Sequence, residues 1–244
     1  MNITKETAHR PFSIPSTPWK FYQEWNRAIF LHWPVPKTLL QPYIPSLVQL
    51  NTCDGTAWIS FVAFSMEKMK FRYVPSFPPI SNFDELNLRT YVRSNGKSGV
   101  YFLSIEASKK CACYIAKAIS ELPYTHAAMQ RETGKFSSKN SEKATQFSVS
   151  FTKEKLIRNK TTLDLWLTER YALFQENSSG QLLQFDIHHV EWPLYAIKLT
   201  SLDFKFPKFE ELLNTPPVHA HYSPGVQVIA WDKNTVHTTA PLEP

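Results

Sequence analysis

Glycine is scarce in this chain, and the glycine-rich signatures of common nucleotide and hydrolase folds are missing. The 244 residues include 6 glycines against 18 prolines, and none of the patterns GxGxxG, GxxxxGK[ST] or GxSxG occurs. These patterns carry the tight turns of dinucleotide sites, P-loops and α/β-hydrolase nucleophile elbows. The sequence therefore lacks the main evidence for those three classes.

Cysteines and long apolar runs are also few. Cys53, Cys111 and Cys113 are odd in number and form no CxxC motif, and a reducing compartment is the simplest setting for them. No run approaches the roughly 18 apolar residues of a membrane-spanning helix, and residues 1–18 lack the apolar core of a signal peptide. We therefore expect a cytoplasmic protein with no membrane partner.

Positive charge is concentrated in one stretch. The chain has a net charge of +6, and residues 108–160 contain eleven Lys/Arg and four Asp/Glu. Residues 133–145 are polar with few large apolar groups, which predicts a solvated loop. Aromatic interleaving and nucleic-acid motifs are missing, so the sequence argues against a nucleic-acid partner. An acidic partner docking on segment 108–160 stays open as an alternative.

Strand patterns dominate what is present. Runs rich in aromatic and branched residues predict strands over 27–33, 57–66, 87–93, 99–107, 146–152, 162–167, 171–176, 181–190 and 195–204. Helices are predicted over 36–43, over 209–213 and after a capping Ser108, where Cys111, Ala112, Ile115 and Ile119 form one apolar stripe. Hairpin-linked strands with few helices indicate an α+β fold whose largely antiparallel sheet closes or stacks to protect its edges.

One segment resembles the active-site segment of the acetoacetate decarboxylase superfamily. In that family an aromatic-Pro pair precedes two adjacent lysines, and one of them forms a Schiff base with the substrate. Here Leu122-Pro123 stands for the aromatic-Pro pair and Tyr124-Thr125 for the lysines. The resemblance implies a closed, cone-like β-barrel with an interior pocket. Because a phenol and a hydroxyl form no imine, it also implies that the parent chemistry is missing.

A more specific resemblance connects the chain with the uncharacterised YqjF family. It covers about residues 18–232 and includes the motifs His32-Trp33-Pro34-Val35-Pro36, Asn87-Leu88-Arg89-Thr90-Tyr91-Val92, Leu122-Pro123-Tyr124, Glu169-Arg170-Tyr171, Glu191-Trp192-Pro193-Leu194 and His221-Tyr222-Ser223-Pro224-Gly225-Val226. We expect an N-terminal tail over residues 1–17 and one barrel domain over 18–244.

Polar residues alternate along the strand that begins near residue 85. Glu85, Asn87 and Arg89 occupy every second position, so they share one face of a strand. Periodicity alone favours a solvent-facing set. The superfamily resemblance instead places Glu85 in the pocket, through Phe83-Asp84-Glu85, and Asn87 and Arg89 then lie on the same side.

These residues lead to a functional prediction. We expect a small acidic or phenolic organic molecule to bind in the barrel, with Arg27, Glu85, Asn87, Arg89 and Tyr124 as polar anchors and without a cofactor or metal. An alternative is a lyase or hydrolase that uses Glu85 as acid/base and Tyr124 as oxyanion donor. A homo-oligomer is left open.

Two histidines near the C-terminal end raise the question of a metal site. His219 and His221 are two residues apart, so in a strand they would share a face and could chelate one metal ion, but the sequence does not place a third ligand such as His237 or Glu191. The alternative is a pair of surface or hydrogen-bonded histidines, which we favour.

Four other histidines are placed by their sequence neighbours. His188 and His189 point to opposite faces of a strand. His126 is the best-placed general base near Tyr124. His32 should point away from Arg27, because alternation puts Arg27 on the face of Ile29 and Trp33.

Overall fold

Strands make up most of the described chain. The computed structural model describes residues 3–236. The strands are β1 (Phe21–Val35), β2 (Gln49–Leu50), β3 (Ala57–Phe71), β4 (Phe83–Ser94), β5 (Lys97–Ala107), β6 (Tyr124–His126), β7 (Ala128–Glu132), β8 (Lys135–Asn140), β9 (Thr145–Leu156), β10 (Ala172–Glu176), β11 (Leu182–His189), β12 (Tyr195–Lys205), β13 (His219–Ala230) and β14 (Asn234–Thr235).

Helices are short. They are α1 (Lys37–Leu40), α2 (Pro78–Ser81), α3 (Lys110–Ser120) and α4 (Thr162–Thr168), with 3-10 turns at Ile3–Lys5, Gln41–Tyr43 and Pro207–Leu212. Within residues 3–236, no helix is long and apolar enough to cross a membrane. The predicted α+β class with a mainly antiparallel sheet is confirmed.

Seven strands close into a ring. Their order is β11–β10–β5–β4–β3–β1–β13, and β13 pairs again with β11 through Ile187↔Ala230, His188↔Ile229 and His189↔Val228. The β5–β10 pair is parallel and the other ring pairs are antiparallel. Closure satisfies the backbone groups that an open sheet would expose at its edges.

A second layer leaves the ring at β13 and covers its outside. Strands β12, β9, β8 and β7 continue the sheet, and their apolar faces pack against β1, β3 and β4. Phe61 is central to this outer core, with its ring centroid 4.9 Å from that of Phe147 and 4.7 Å from that of Phe206. Strands β1, β3 and β4 are therefore buried on both faces, one towards the outer core and one towards the ring interior.

A bulge in β1 changes which residues face inward. Arg27 has a positive φ of 55°, and the β1–β3 register shifts between Asn26 and Ile29. Beyond the bulge, Ile29 and Trp33 enter the outer core, while Phe30 packs in the interior cluster. The extra residue interrupts simple alternation. The face that we predicted for β1 by counting from Arg27 is therefore not continuous across this point.

Strand β13 is not among the predicted strands, and it contains Pro224 and Gly225. A proline in a central strand would remove a ladder donor. The pairs Asn26↔Gly225 and Ala28↔Ser223 bracket Pro224, so the proline lies opposite the β1 bulge, where the ladder is already interrupted. The two irregularities accommodate one another.

Residues 162–167, predicted as a strand, form helix α4 instead. Thr161 and Asp164 make a reciprocal capping box, with Asp164 N donating to Thr161 Oγ1 at 3.1 Å and Thr161 N donating to Asp164 Oδ2 at 2.8 Å. This local start signal outweighs the strand preference of the branched and aromatic residues. The strand prediction for residues 162–167 is therefore wrong, and the capping box of Thr161 and Asp164 is the physical reason.

Residues 133–145, predicted as a loop, contain strand β8. Their buried polar groups find a partner in Glu106 of β5, which accepts hydrogen bonds from Ser138 at 3.1 Å, Asn140 at 3.1 Å and Thr145 at 2.7 Å. A buried carboxylate far away in the sequence thus allows a polar segment to pack.

Helix α3 begins later than predicted. Its N-cap is Lys109, without a side-chain cap, and Ser108 Oγ instead accepts the Asp84 N–H at 2.9 Å. Cys111 is exposed, whereas Ala112 and Cys113 are buried. The inner face of the helix is therefore rotated from the predicted stripe.

The N-terminal segment lies against the ring. Ile3 is buried, and Arg10 Nη1 donates to the Ile187 carbonyl at 2.7 Å. The division into a tail over residues 1–17 and a domain over 18–244 stays a prediction.

The parallel contact between β5 and β10 should not tolerate a methyl group at Gly99. A Cβ at this position would lie 2.5 Å from the Ala172 carbonyl oxygen. We expect Gly99→Ala to lower the free energy of unfolding by about 1–3 kcal/mol, measured by urea denaturation. Ser201→Ala, on an exposed position of β12, is the control. Equal stabilities for the two variants would contradict the close approach.

Candidate functional site

The ring interior contains a cavity of about 340 Å³. Its walls are mostly apolar and include Trp25, Phe30, Phe64, Phe102, Phe185 and Trp192. Helix α3 contributes Ile115 and Ile119, and the β3–α2 connection contributes Val74 and Phe77, both exposed. An apolar wall with a few polar groups is typical of a small-molecule site.

Four of the five predicted anchors meet in this cavity. Glu85, Asn87, Arg89 and Tyr124 line it, and the three β4 residues are buried. The solvent-facing interpretation of this strand face is wrong, because Glu85, Asn87 and Arg89 are only 2%, 2% and 9% exposed.

Arg27 does not line the cavity. Its side chain is 54% exposed and binds Glu67 at 3.0 Å and Ser65 Oγ at 2.9 Å. The β1 bulge turns it away from the interior residues.

Glu85 is a buried acid held by neutral donors. Asn87 Nδ2 donates to Oε1 at 2.9 Å, and the Tyr124 hydroxyl donates to Oε2 at 2.7 Å. Burial raises the pKa of Glu85 to about 7, opposed by these hydrogen bonds and by the charge of Arg89. The carboxyl group therefore changes charge near neutral pH.

Tyr124 reaches Glu85 from the short strand β6. Tyr124 pairs with Ile105 of β5 in parallel register, and its backbone N–H donates to the Leu122 carbonyl at 2.8 Å across Pro123. Burial, together with the neighbouring Glu85 carboxylate, raises the pKa of Tyr124 well above its ordinary value. The phenol is therefore a hydrogen-bond donor.

Arg89 faces the same cavity without an acidic partner. Its Nη2 donates to the Leu167 carbonyl of α4 at 3.2 Å, and its buried Nε has no hydrogen-bond partner within residues 3–236. Glu85 is engaged by Asn87 and Tyr124 and forms no ion pair with Arg89.

A second arginine, Arg170, was not predicted for this site. It follows α4, lines the cavity, and donates to the Trp166 carbonyl at 2.7 Å and Asn51 Oδ1 at 2.9 Å. Its buried Nη2 has no partner among the described residues. Burial lowers its pKa to about 10. The sequence signal for Arg170 as a site residue was its place in the motif Glu169-Arg170-Tyr171. The motif alone does not indicate which of its side chains points into the cavity.

The two consecutive histidines face opposite ways, as predicted. His189 lines the cavity, and burial lowers its pKa to about 3. His188 points to the N-terminal segment, with Nε2 2.7 Å from the Ile3 carbonyl oxygen. His126 does not line the cavity.

The structure offers no metal centre within its described residues. There, no group of three or more His, Cys, Asp or Glu side chains is placed to hold an ion. His219 and His221 do share a face, with ring centroids 6.4 Å apart, but His221 Nε2 contacts Asp164 Oδ1 at 3.0 Å. His237 lies outside the described residues.

Glu85 should make stability depend on pH. Because folding raises its pKa from 4.5 to about 7, the folded state holds the proton more tightly. This stabilisation is complete below the unfolded pKa and is lost as pH rises through the folded pKa. We expect the unfolding free energy of the parent protein to fall between about pH 5 and about pH 8. The fall, measured relative to the Glu85→Gln variant, should be at most about 3 kcal/mol.

Urea denaturation at both pH values tests this expectation. Glu132→Gln, which changes an exposed carboxyl on β7, is the control and should follow the parent. A parent and a Glu85→Gln variant with parallel pH profiles would contradict a raised pKa.

Comparison with solved structures identifies the fold. Acetoacetate decarboxylase from Legionella pneumophila superposes with a TM-score of 0.65 at 15% identity, covering 96% of this chain and 95% of that one. The enduracididine biosynthesis enzyme MppR, complexed with pyruvate, gives a TM-score of 0.65 at 11% identity, with 94% and 95% covered. An acetoacetate decarboxylase-like enzyme from Sphingomonas wittichii gives 0.60 at 12% identity, with 93% and 98% covered.

Sequence comparison identifies the family. The model of DUF2071, described as an uncharacterized conserved protein, matches residues 22–227. The uncharacterized protein YqjF of Bacillus subtilis is 37% identical over 204 residues, which cover 79% of this chain and 82% of YqjF. The chain therefore belongs to the DUF2071 family, and it has the acetoacetate decarboxylase-like fold.

Proposed function

We propose that this protein binds a small organic anion with an apolar body in the ring cavity. The observation that carries the proposal is the pair of buried guanidinium groups, Arg89 and Arg170, each with an N–H that has no partner among the described residues. Within residues 3–236, neither arginine forms an ion pair with a carboxylate. Buried charges without a counter-charge are costly, and a ligand carboxylate or phenolate would supply one.

The rest of the cavity fits the same ligand class. Glu85, with a pKa of about 7, is partly protonated at neutral pH and so repels an anion less than an ordinary carboxylate. The aromatic wall favours an apolar body through burial of its surface. Charge-assisted hydrogen bonds to arginine would orient the acidic end.

A non-Schiff-base enzyme is the second candidate, and one observation favours it. Glu85 has a pKa of about 7, near the operating pH expected of a general acid or base, and it accepts a hydrogen bond from the Tyr124 hydroxyl at 2.7 Å. Turnover that is lost in both Glu85→Gln and Tyr124→Phe would favour a lyase or hydrolase. Tight binding without turnover would favour a binding protein.

Docking of an acidic partner on segment 108–160 stays a prediction. A salt-sensitive association that is lost on neutralising Lys135, Lys139 and Lys143 would favour it.

Binding of a matched probe pair tests the anion site. Anilinonaphthalenesulfonate carries a sulfonate, and N-phenylnaphthylamine has the same aromatic body without it. We expect Arg89→Met to weaken sulfonate binding about tenfold or more, since hydrogen bonds to charged groups contribute about 1.5–3 kcal/mol. Binding of the neutral probe should change little. Fluorescence titration measures both dissociation constants.

Arg93→Met is the matched control, because Arg93 lies on the same strand but is exposed. It should leave both affinities at the parent value. Equal weakening of the two probes by Arg89→Met would indicate a damaged cavity, and no weakening of the sulfonate would refute the anion site.

Covalent trapping tests the expectation that no Schiff base forms. A Schiff base needs a primary amine, and within residues 3–236 Lys70 is the one lysine that lines the cavity. Its Nζ lies over the Tyr22 ring, 5.7 Å from the centroid. Lys117, on the exposed side of α3, is outside the lining. Borohydride reduction with acetoacetate should give no adduct by intact mass.

The variant Tyr124→Lys makes this experiment informative in both directions. An adduct in the variant and none in the parent would support a retained pocket with altered chemistry. An adduct on a cavity lysine of the parent, with Lys70 checked first, would refute the expectation.

A further inference from the structure

A layer of polar side chains lies inside the ring beneath the cavity. It comprises His32 of β1, Ser60 of β3, Tyr91 of β4 and His221 of β13, and these residues are 0%, 0%, 0% and 4% exposed. Helix α4 closes this end of the ring through Asp164, which is 6% exposed. None of the five lines the cavity, so the proposed binding function does not account for them.

These five side chains form one continuous hydrogen-bonded chain. The Tyr91 hydroxyl lies 2.7 Å from Ser60 Oγ, and Ser60 Oγ lies 2.6 Å from His32 Nδ1. His32 Nε2 is 3.4 Å from His221 Nδ1, and His221 Nε2 is 3.0 Å from Asp164 Oδ1. In every link, one group can donate a hydrogen bond and the other can accept it.

When the His32 and His221 rings are both neutral, the number of protons fixes one set of directions for the hydrogen bonds. Asp164 is ionised, because hydrogen bonds from Thr161 and the contact with His221 lower its pKa despite burial. It therefore accepts from His221 Nε2–H, which leaves His221 Nδ1 to accept from His32 Nε2–H. His32 Nδ1 then accepts from Ser60, and Ser60 accepts from Tyr91.

Adding one proton reverses three of the four links. His221 then carries protons on both nitrogens and donates to Asp164 and to His32 Nε2. His32 stays neutral but moves its proton to Nδ1 and donates to Ser60. Ser60 donates to Tyr91, and Tyr91 donates to the Leu167 carbonyl, which lies 2.9 Å from its hydroxyl. Both arrangements leave no link without a proton.

The hydrogen-bonded chain of side chains ends at the Leu167 carbonyl, which is also a hydrogen-bond partner of Arg89 in the proposed anion site. The Leu167 carbonyl also accepts from Arg89 Nη2 at 3.2 Å, and Arg170 stacks over the Tyr91 ring at 4.8 Å. The charged and titratable groups facing the two histidines are Asp164 of α4, His219 of β13 and Arg89 of β4.

These neighbours determine when the pair takes up a proton. Burial lowers the pKa of both His32 and His221, and Arg89 and His219 lower that of His32 further. Asp164 opposes burial at His221. An anion bound at Arg89 would offset part of the positive charge that disfavours the extra proton.

We propose that His32 and His221 form a single one-proton site whose occupancy is coupled to anion binding at Arg89 and Arg170. The coupling rests on the proposed function, whereas the proton site does not. An anion favours the protonated pair, so by reciprocity the protonated pair favours the anion. Anion affinity should therefore rise as pH falls.

The proton site is tested without any ligand. Long-range proton–nitrogen NMR spectra of the isotope-labelled full chain report the tautomer of each ring. At high pH we expect both rings to carry Nε2–H. On acidification His221 should become an imidazolium while His32 changes to the Nδ1–H tautomer and stays neutral.

Ser60→Ala is the matched variant. It removes the acceptor for His32 Nδ1–H, so the shared midpoint should move to lower pH, because the buried N–H would be left unpaired. His219→Gln separates the third ring from the assignment. Independent titration of His32 and His221, or a His32 tautomer that never changes, would overturn the proton site.

The coupling is tested with anilinonaphthalenesulfonate in a Glu85→Gln background, which removes the titration of that cavity acid. The sulfonate stays ionised over the range used. We expect its dissociation constant to fall about fivefold from about pH 7 to about pH 4.5, a range that extends below the ordinary histidine pKa of about 6.5 because burial lowers the pKa of both rings. Ser60→Ala should reduce this change, and neutral N-phenylnaphthylamine should show none.

The two proposals fail in different ways. A sulfonate affinity that depends on Arg89 but not on pH would overturn the coupling and leave the anion site standing. A sulfonate affinity that does not depend on Arg89 would overturn the anion site and the coupling with it, and the ligand-free spectra would still decide the proton site.

Discussion

Closure of the sheet between β11 and β13 is the constraint on which the interior depends. The pairs Ile187↔Ala230 and His189↔Val228 close the ring and so remove the inner face of β4 from water. Once Glu85 and Arg89 are in that interior, hydration no longer stabilises their charges. The high pKa of Glu85 and the costly unpaired Arg89 Nε both follow from this loss of solvent.

Hydrogen bonding within the site then separates the two kinds of charge. Glu85 is bound by the neutral donors Asn87 and Tyr124, and these bonds leave it no direct contact with Arg89. Arg89 and Arg170 bind backbone carbonyls of the α4 region instead. Carbonyl oxygens accept hydrogen bonds from a guanidinium but do not neutralise it. The interior is therefore short of negative charge, which is the basis of the proposed preference for an anionic ligand.

Helix α4 connects the cavity with the polar layer beneath it. Its capping box holds Asp164 at the helix start, where the carboxylate contacts His221. Three residues further on, the Leu167 carbonyl meets both Arg89 and Tyr91. One short helix thus contacts the cavity arginine and both ends of the histidine chain. The proposed link between proton and anion depends on this arrangement.

The sequence by itself determined the strand-rich class, most strand positions and the shared face of Glu85, Asn87 and Arg89. These features follow from local composition and from the two-residue period of a strand. It also placed His188 and His189 on opposite faces. The family resemblance at Leu122-Pro123-Tyr124 predicted that Tyr124 lies in the same pocket. Strand periodicity alone could not have predicted this.

Only the tertiary structure decided which strand face became the interior and which residues entered it. Arg27 was turned out by a bulge matched to Pro224, Arg170 was brought in behind a helix predicted as a strand, and β8 became a strand through the distant Glu106. Each outcome depends on a partner that is remote in sequence. Local pattern carries no information about such partners, because burial and hydrogen bonding are decided only when the sheet closes.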